Sequence, residues 1–133
     1  MHNNRQLLEQ LIKDQLDIEL AVLVGSQAKG NARDDSDWDI ALRWLPEIRP
    51  LQQLGKTETL RRLIAKTLKL PEAKIDLIDL THARLAMRAV VAEEGIVLKG
   101  EETLAWIHFL QHTWRDLESF YWDKLYATRT LSG

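Results

Sequence analysis

The apolar residues of this chain recur at two different spacings. Leu7, Leu8, Leu11, Ile12 and Leu16 are spaced for one face of a helix. Leu20-Ala21-Val22-Leu23-Val24 is a short continuous apolar run ending at Gly25, and its length and β-branched content predict a buried strand. Residues 25–36 are rich in Gly, Ser, Asn and Asp and read as a loop with room for one helical turn. From Asp37 to Trp44 the period becomes two, with Trp38, Ile40 and Leu42 on one face and Asp37, Asp39 and Ala41 on the other. Pro46 and Pro50 close that strand and start a connection. Leu60, Leu63, Ile64 and Leu68 predict a helix that stops before Pro71.

Ile75-Asp76-Leu77-Ile78-Asp79-Leu80 predicts a third strand, and Thr81 a cap for a helix through Leu85, Met87, Val90 and Val91. Gly95 and Gly100 bracket a short fourth strand, and residues 102–126 predict a long last helix. In that helix Trp106, Phe109, Leu110, Trp114, Leu117, Phe120 and Tyr121 form one stripe, the periodicity of a face packed on a core. Trp122 and Tyr126 fall on the opposite side with Arg115 and Ser119, where large aromatics are candidates for a partner surface. The element order predicts an α/β (α+β) fold, a small mixed sheet packed by helices.

Composition narrows the chemistry. The 133 residues suit one domain, read as 1–133 with a core about 18–100 and the last helix about 102–126. There is no cysteine, which excludes a disulfide scaffold, a zinc ribbon, an iron–sulfur site and a cysteine nucleophile. Net charge is −2, so nothing marks the whole chain for nucleic-acid binding, and no direct contact with nucleic acid is expected. Neither the start of the chain nor any later window has the apolar run of a signal peptide or a membrane helix, so a soluble cytoplasmic protein is expected.

The candidate chemistry lies in Gly25-Ser26-Gln27-Ala28-Lys29-Gly30 and Ser36-Asp37-Trp38-Asp39. Residues two apart in a strand share a face, which brings the Asp37 and Asp39 carboxylates within ~7 Å. Like charges that close repel, and a divalent cation removes the conflict. Hard oxygen ligands suit Mg²⁺ or Mn²⁺. Gly25 lets backbone approach a ligand closely, and the Ser26 hydroxyl and nearby amides can hold phosphate oxygens. Alone, Gly-Ser is a turn and Asp-x-Asp a solvated edge; the information is in their combination, each at the correct end of a strand.

Gly25-Ser26-x10-Asp37-x-Asp39 resembles the signature of the DNA polymerase β-like nucleotidyltransferase superfamily. The fuller run resembles most closely the minimal nucleotidyltransferases, small antitoxins encoded beside a HEPN-domain ribonuclease toxin. The family motif has an aliphatic residue or Tyr where this chain has Trp38, a packing change if that side chain faces the core. The resemblance implies a third carboxylate on the next strand, and Asp76 matches by position. An acid embedded in an apolar strand needs a reason, since unpaired burial is costly. Asp79 is the competitor, of opposite parity, and a strand-end or cap role explains it.

The resemblance further implies that Asp37, Asp39 and Asp76 hold two Mg²⁺ ions, that Gly25 and Ser26 hold the phosphates of ATP, and that AMP passes to a tyrosine hydroxyl of the HEPN toxin in a hetero-oligomer. Asp76 would also help to deprotonate that hydroxyl. Alternatives are an antitoxin that binds without catalysis and a small-molecule, aminoglycoside-like nucleotidyltransferase. The latter carries a large C-terminal domain, and the roughly 33 residues after Gly100 are too few for one. Lys29 and Arg33 are equally readable as phosphate contacts or solvated loop cations. His82 is as readily a helix-start residue as a neighbour of the site. His108 and His112 have the spacing of a metal pair without an acidic partner motif, and read as surface histidines.

Overall fold

In a computed structural model, residues 3–132 are described, with side chains through Ala127. Met1 and His2, part of the stretch read for a targeting signal, lie outside the described residues. The elements in chain order are α1 (Asn4–Lys13), β1 (Ile18–Val24), α2 (Ser26–Lys29), β2 (Trp38–Trp44), α3 (Pro50–Leu68), β3 (Ile75–Asp79), α4 (Leu85–Glu94), β4 (Ile96–Lys99) and α5 (Leu104–Ser132). A single 3₁₀ turn, Glu72–Lys74, leads into β3. The sheet order is β3-β2-β1-β4, with β1 antiparallel to both neighbours and β2 parallel to β3. This is the mixed sheet that the element order predicts.

The continuous apolar run becomes a central strand because both of its faces are covered. Leu20, Ala21, Val22 and Leu23 are fully buried. Ala21 and Leu23 join Trp38, Ile40 and Leu42 in a core closed by Leu8 and Ile12 of α1 and Leu60, Ile64 and Leu68 of α3. Leu20, Val22, Val24 and Ala41 face the other way, against Val91 of α4 and Trp106 and Phe109 of α5. Each buried Leu, Ile, Val or Phe among them contributes ~1.5–3 kcal/mol, so shifting β2 by one residue would expose a whole face. Trp38 is buried in the first core, which accounts for an indole between the two aspartates.

Several expectations change. α1 ends at Lys13, and Leu16 sits exposed in the turn before β1, because β1 starts at Ile18 rather than Leu20. Pro50 does not sit in a connection but is the first residue of α3, where its missing N–H costs nothing. Leu63 lies at the margin of that helix's buried stripe and is partly exposed. Thr81 does not cap α4; its amide donates to Asp79 Oδ1 at 3.0 Å in a turn, and Arg84 precedes the helix.

The largest difference concerns the aromatic stripe of α5. Trp106 and Phe109 are buried and stacked, with centroids 5.3 Å apart, and Thr113 is buried, but Trp114, Phe120 and Tyr121 are exposed and Leu117 is only half-buried. The physical reason is length. The 29 residues of α5 span about 43 Å, more than the sheet beneath can cover. No helix among the described residues is long and apolar enough to cross a membrane.

Two glycines separate sequence habit from steric need. A Cβ on Gly55, inside α3, would meet nothing within 4 Å, whereas one on Gly95 would lie 2.4 Å from both Val22 Cγ1 and the Val91 carbonyl. Gly55→Ala is expected to stabilise the fold by ~0.5–1 kcal/mol, and Gly95→Ala to destabilise it by ~1–3 kcal/mol. Urea unfolding of the two variants checks both signs.

Candidate active site

Three strand ends meet at one edge of the sheet. β1 finishes there at Val24, while β2 and β3 both begin there. Asp39 is paired with Val24 on one side and Asp76 on the other. By the alternation of the strands, Asp39 shares its face with Ala41 and Asp76 with Ile78, the face that α4 and α5 cover. Asp79, three residues beyond Asp76, has the opposite parity. The structure therefore brings Asp39 and Asp76 together and separates Asp79 from them.

Gly25 makes this approach possible. Its φ of +75° is a conformation that L side chains rarely adopt, and a Cβ there would stand 2.4 Å from Asp39 Oδ2. The turn that follows is the short helix α2, begun by the half-buried Ser26 and ended by Gly30 in the left-handed region. Within it the amides of Ala28 and Lys29 both donate to the Gly25 carbonyl at 3.1 Å.

The electrostatics follow from the packing. Partial burial, then the charges of Asp76 and Asp37, then a hydrogen bond with Asp76 raise the Asp39 carboxyl above its ordinary value. Two carboxyl groups share a hydrogen bond only when one holds a proton, so the contact itself favours the neutral form. Asp76 is exposed rather than embedded, although its neighbour Ile75 is buried, so its placement is not explained by burial.

Asp37 lies just before β2 and is exposed. Its Oδ1 stands 3.8 Å from the ammonium of Lys74, which also donates to the Asp35 carbonyl at 2.7 Å. Ser36 Oγ accepts from the Arg33 amide at 2.7 Å, so the loop before Asp37 is held at two points. Lys74 went unread in the sequence; the available signal was a cation directly before the strand carrying Asp76. Among the described residues no three acidic or histidine side chains already form a metal-ligating set. The donor chemistry nevertheless fits a hard divalent cation: carboxylate oxygens of Asp39 and Asp76 in contact, Asp37 close enough to act on Asp39 electrostatically, and a charge conflict to relieve.

The remaining candidates lie elsewhere. Lys29 reaches Glu94 at the end of α4, 3.3 Å away, and Arg33 is exposed in the loop. His82 Nδ1 is 2.6 Å from Asp79 Oδ2, which ties it to the opposite face of β3 from Asp76. His108 and His112 are exposed, with His112 Nε2 3.4 Å from Asp116 Oδ2. Trp122 and Tyr126 are exposed on α5.

Because Asp39 is held more neutral in the fold than in the unfolded chain, the folded state binds its proton more tightly. The penalty for ionising it grows as pH rises from the ordinary carboxylate range and is complete above the raised folded value. Asp39→Asn removes that penalty. Without divalent cations, at neutral pH, it is expected to raise the melting temperature by ~2–6 °C, with the gain shrinking as pH falls towards 4. Gly25→Ala is expected to lower it, since the added methyl meets Asp39 Oδ2. Thermal melts across pH measure both.

Solved structures with this fold provide a comparison. A toxin–antitoxin with AMP-PNP superposes with a TM-score of 0.68 at 20% identity, over 99% of this chain and 100% of that one. The complex of tri-AMPylated Shewanella oneidensis HEPN toxin with MNT antitoxin gives 0.64 at 18% identity, over 98% and 100%. The toxin–antitoxin MntA-HepT gives 0.60 at 18%, over 98% and 97%. At these identities the likeness is one of fold. No curated protein sequence matches the chain. The family model for polymerase beta nucleotidyltransferases matches residues 6–103, the stretch that contains Gly25, Ser26, Asp37, Asp39 and Asp76, and this chain belongs to that family.

Proposed function

We propose that this chain is an antitoxin that transfers AMP from ATP to a tyrosine hydroxyl of a cognate HEPN-domain ribonuclease toxin and so inactivates it. The observation that carries the proposal is the Asp39 carboxyl, packed between Gly25 and Asp76 with the Asp37 charge near enough to act on it. A cluster that repels itself is a cost in the folded chain and calls for a cationic ligand. Family membership supports nucleotidyl transfer as the chemistry. The fold shared with a toxin–antitoxin holding AMP-PNP, and with an MNT antitoxin bound to an AMPylated HEPN toxin, supports the nucleotide, the partner and a hetero-oligomeric complex.

In this reading residues 1–133 work as one minimal nucleotidyltransferase domain in the cytoplasm. Gly25 and Ser26 hold the β- and γ-phosphates, with the Gly25 backbone able to approach because no side chain intervenes. Asp37, Asp39 and Asp76 would hold Mg²⁺, or Mn²⁺ in its place, which supplies charge neutralisation on the triphosphate and the leaving group. Asp76, exposed on the edge strand, accepts the proton of the acceptor hydroxyl. The phenolic oxygen forms a bond to the α-phosphorus, the bond from that phosphorus to the bridging oxygen of the β-phosphate breaks, and pyrophosphate leaves. Positioning supplies most of the acceleration. The attached phosphate adds negative charge and bulk, which opposes RNA binding by the toxin.

A binding-only antitoxin would not need the carboxylates. Co-expression of the toxin with the Asp37→Asn, Asp39→Asn double variant tests this. Growth rescue is expected to disappear while soluble expression of the variant is unchanged. Full rescue by the double variant would assign neutralisation to steric capture instead.

A further inference from the structure

The turn that follows β1, from Gly25 to Gly30, carries one cation, Lys29. Ser26 and Lys29 stand three residues apart in α2, so their side chains occupy neighbouring positions on one helical surface. Ala28 lies on the opposite side from Ser26 and packs against the first core. The Lys29 ammonium is 3.3 Å from Oε2 of Glu94, the last residue of α4. α4 covers the face of the sheet to which Asp39 and Asp76 belong. The ion pair therefore draws Lys29 towards the carboxylates' side of the sheet, one helical turn from Ser26.

Glu94 sits where helix electrostatics disfavour an acid. The last turn of α4 holds Glu93 and Glu94 and no basic residue, at the end where unpaired backbone carbonyls leave negative charge. Stability of the helix does not call for an acid there, and an acid that breaks a local rule points to a role outside the helix. The pair itself is weak, since its side chains are 50% and 42% exposed and ion pairs in solvent contribute little. Such a contact directs a flexible cation without committing it. A triphosphate offers several anionic oxygens at once, and charge-assisted hydrogen bonds to them outweigh one solvated carboxylate. We infer that Glu94 is a positioning residue for the nucleotide: it holds Lys29 one turn from Ser26 and yields it to a phosphate oxygen when a nucleoside triphosphate binds. The inference rests on the proposed triphosphate site at Gly25 and Ser26 and deepens it. Lys29 is then a nucleotide ligand, and Glu94 acts only through Lys29.

Calorimetric titration of the full chain with AMP-PNP and Mg²⁺ tests this, using Lys29→Met, Glu94→Gln and the double variant. Both side chains are at the surface, so all three variants are expected to melt with the unaltered chain. Lys29→Met is expected to weaken AMP-PNP binding by ~10-fold. Glu94→Gln is expected to tighten it by ~3-fold, because the acceptor that competes for the ammonium is gone. In the Lys29→Met background Glu94→Gln is expected to change nothing, since the two positions are coupled. Equal tightening in both backgrounds would overturn the inference by making Glu94 a repelling charge that acts on the nucleotide directly. Weaker binding in Glu94→Gln would overturn it by making the ion pair a fixed brace of the turn. Unchanged affinity in Lys29→Met would overturn it too, as would no measurable binding of AMP-PNP by the unaltered chain. The proposed reaction is read separately, from the mass of the HEPN-domain partner after incubation with ATP. Binding that follows the expected pattern without transfer of AMP would contradict the reaction and leave the inference standing. Transfer with a KM for ATP indifferent to both substitutions would do the reverse.

Discussion

The structure turns on one crowded contact. Asp39 has to fit between the backbone of Gly25 and the carboxylate of Asp76, in the middle of three hydrogen-bonded strands. Neither neighbour can be changed freely. A side chain at Gly25 would occupy the space of the carboxylate, and the register of β2 is fixed because Trp38, Ile40 and Leu42 fill the core on its other face. The hydrophobic core thus drives the acidic side chains together, and the stability gained on one face of β2 offsets the repulsion on the other. That division is typical of functional sites, where local cost is carried by the surrounding fold.

The same alternation explains which acidic residue is excluded. Asp79 lies in the same strand as Asp76 yet points to the other side, where it holds the turn through Thr81 and pairs with His82. Lys74 stands at the base of that strand and tethers the loop ahead of Asp37 through the Asp35 carbonyl. β3 and the turn before it therefore supply one carboxylate to the cluster and a tether for the loop that carries another.

Much of this was legible in the residues. The period-two pattern of Asp37–Trp44 gave both the buried and the acidic face of β2, and the run before Gly25 gave the central strand. The face on which Asp76 lies was legible from strand parity, but its exposure was not, since Ile75 beside it is buried. What escaped were features set by tertiary context. The contact of Lys74 with Asp35 joins residues 39 apart, and no local pattern encodes it. The aromatic stripe of α5 has the period of a core face throughout, but periodicity does not report where the underlying sheet ends. Leu16 and Thr81 failed for the related reason that element boundaries depend on local turn bonding.

The account rests on the claim that the Asp37, Asp39 and Asp76 cluster transfers AMP to a protein. Intact-mass spectrometry of the HEPN-domain partner after incubation with this chain, ATP and Mg²⁺ tests it most directly. The expected result is a partner heavier by one or more AMP units, and no such gain with Asp37→Asn. A partner of unchanged mass that nevertheless co-purifies with the chain would contradict the claim.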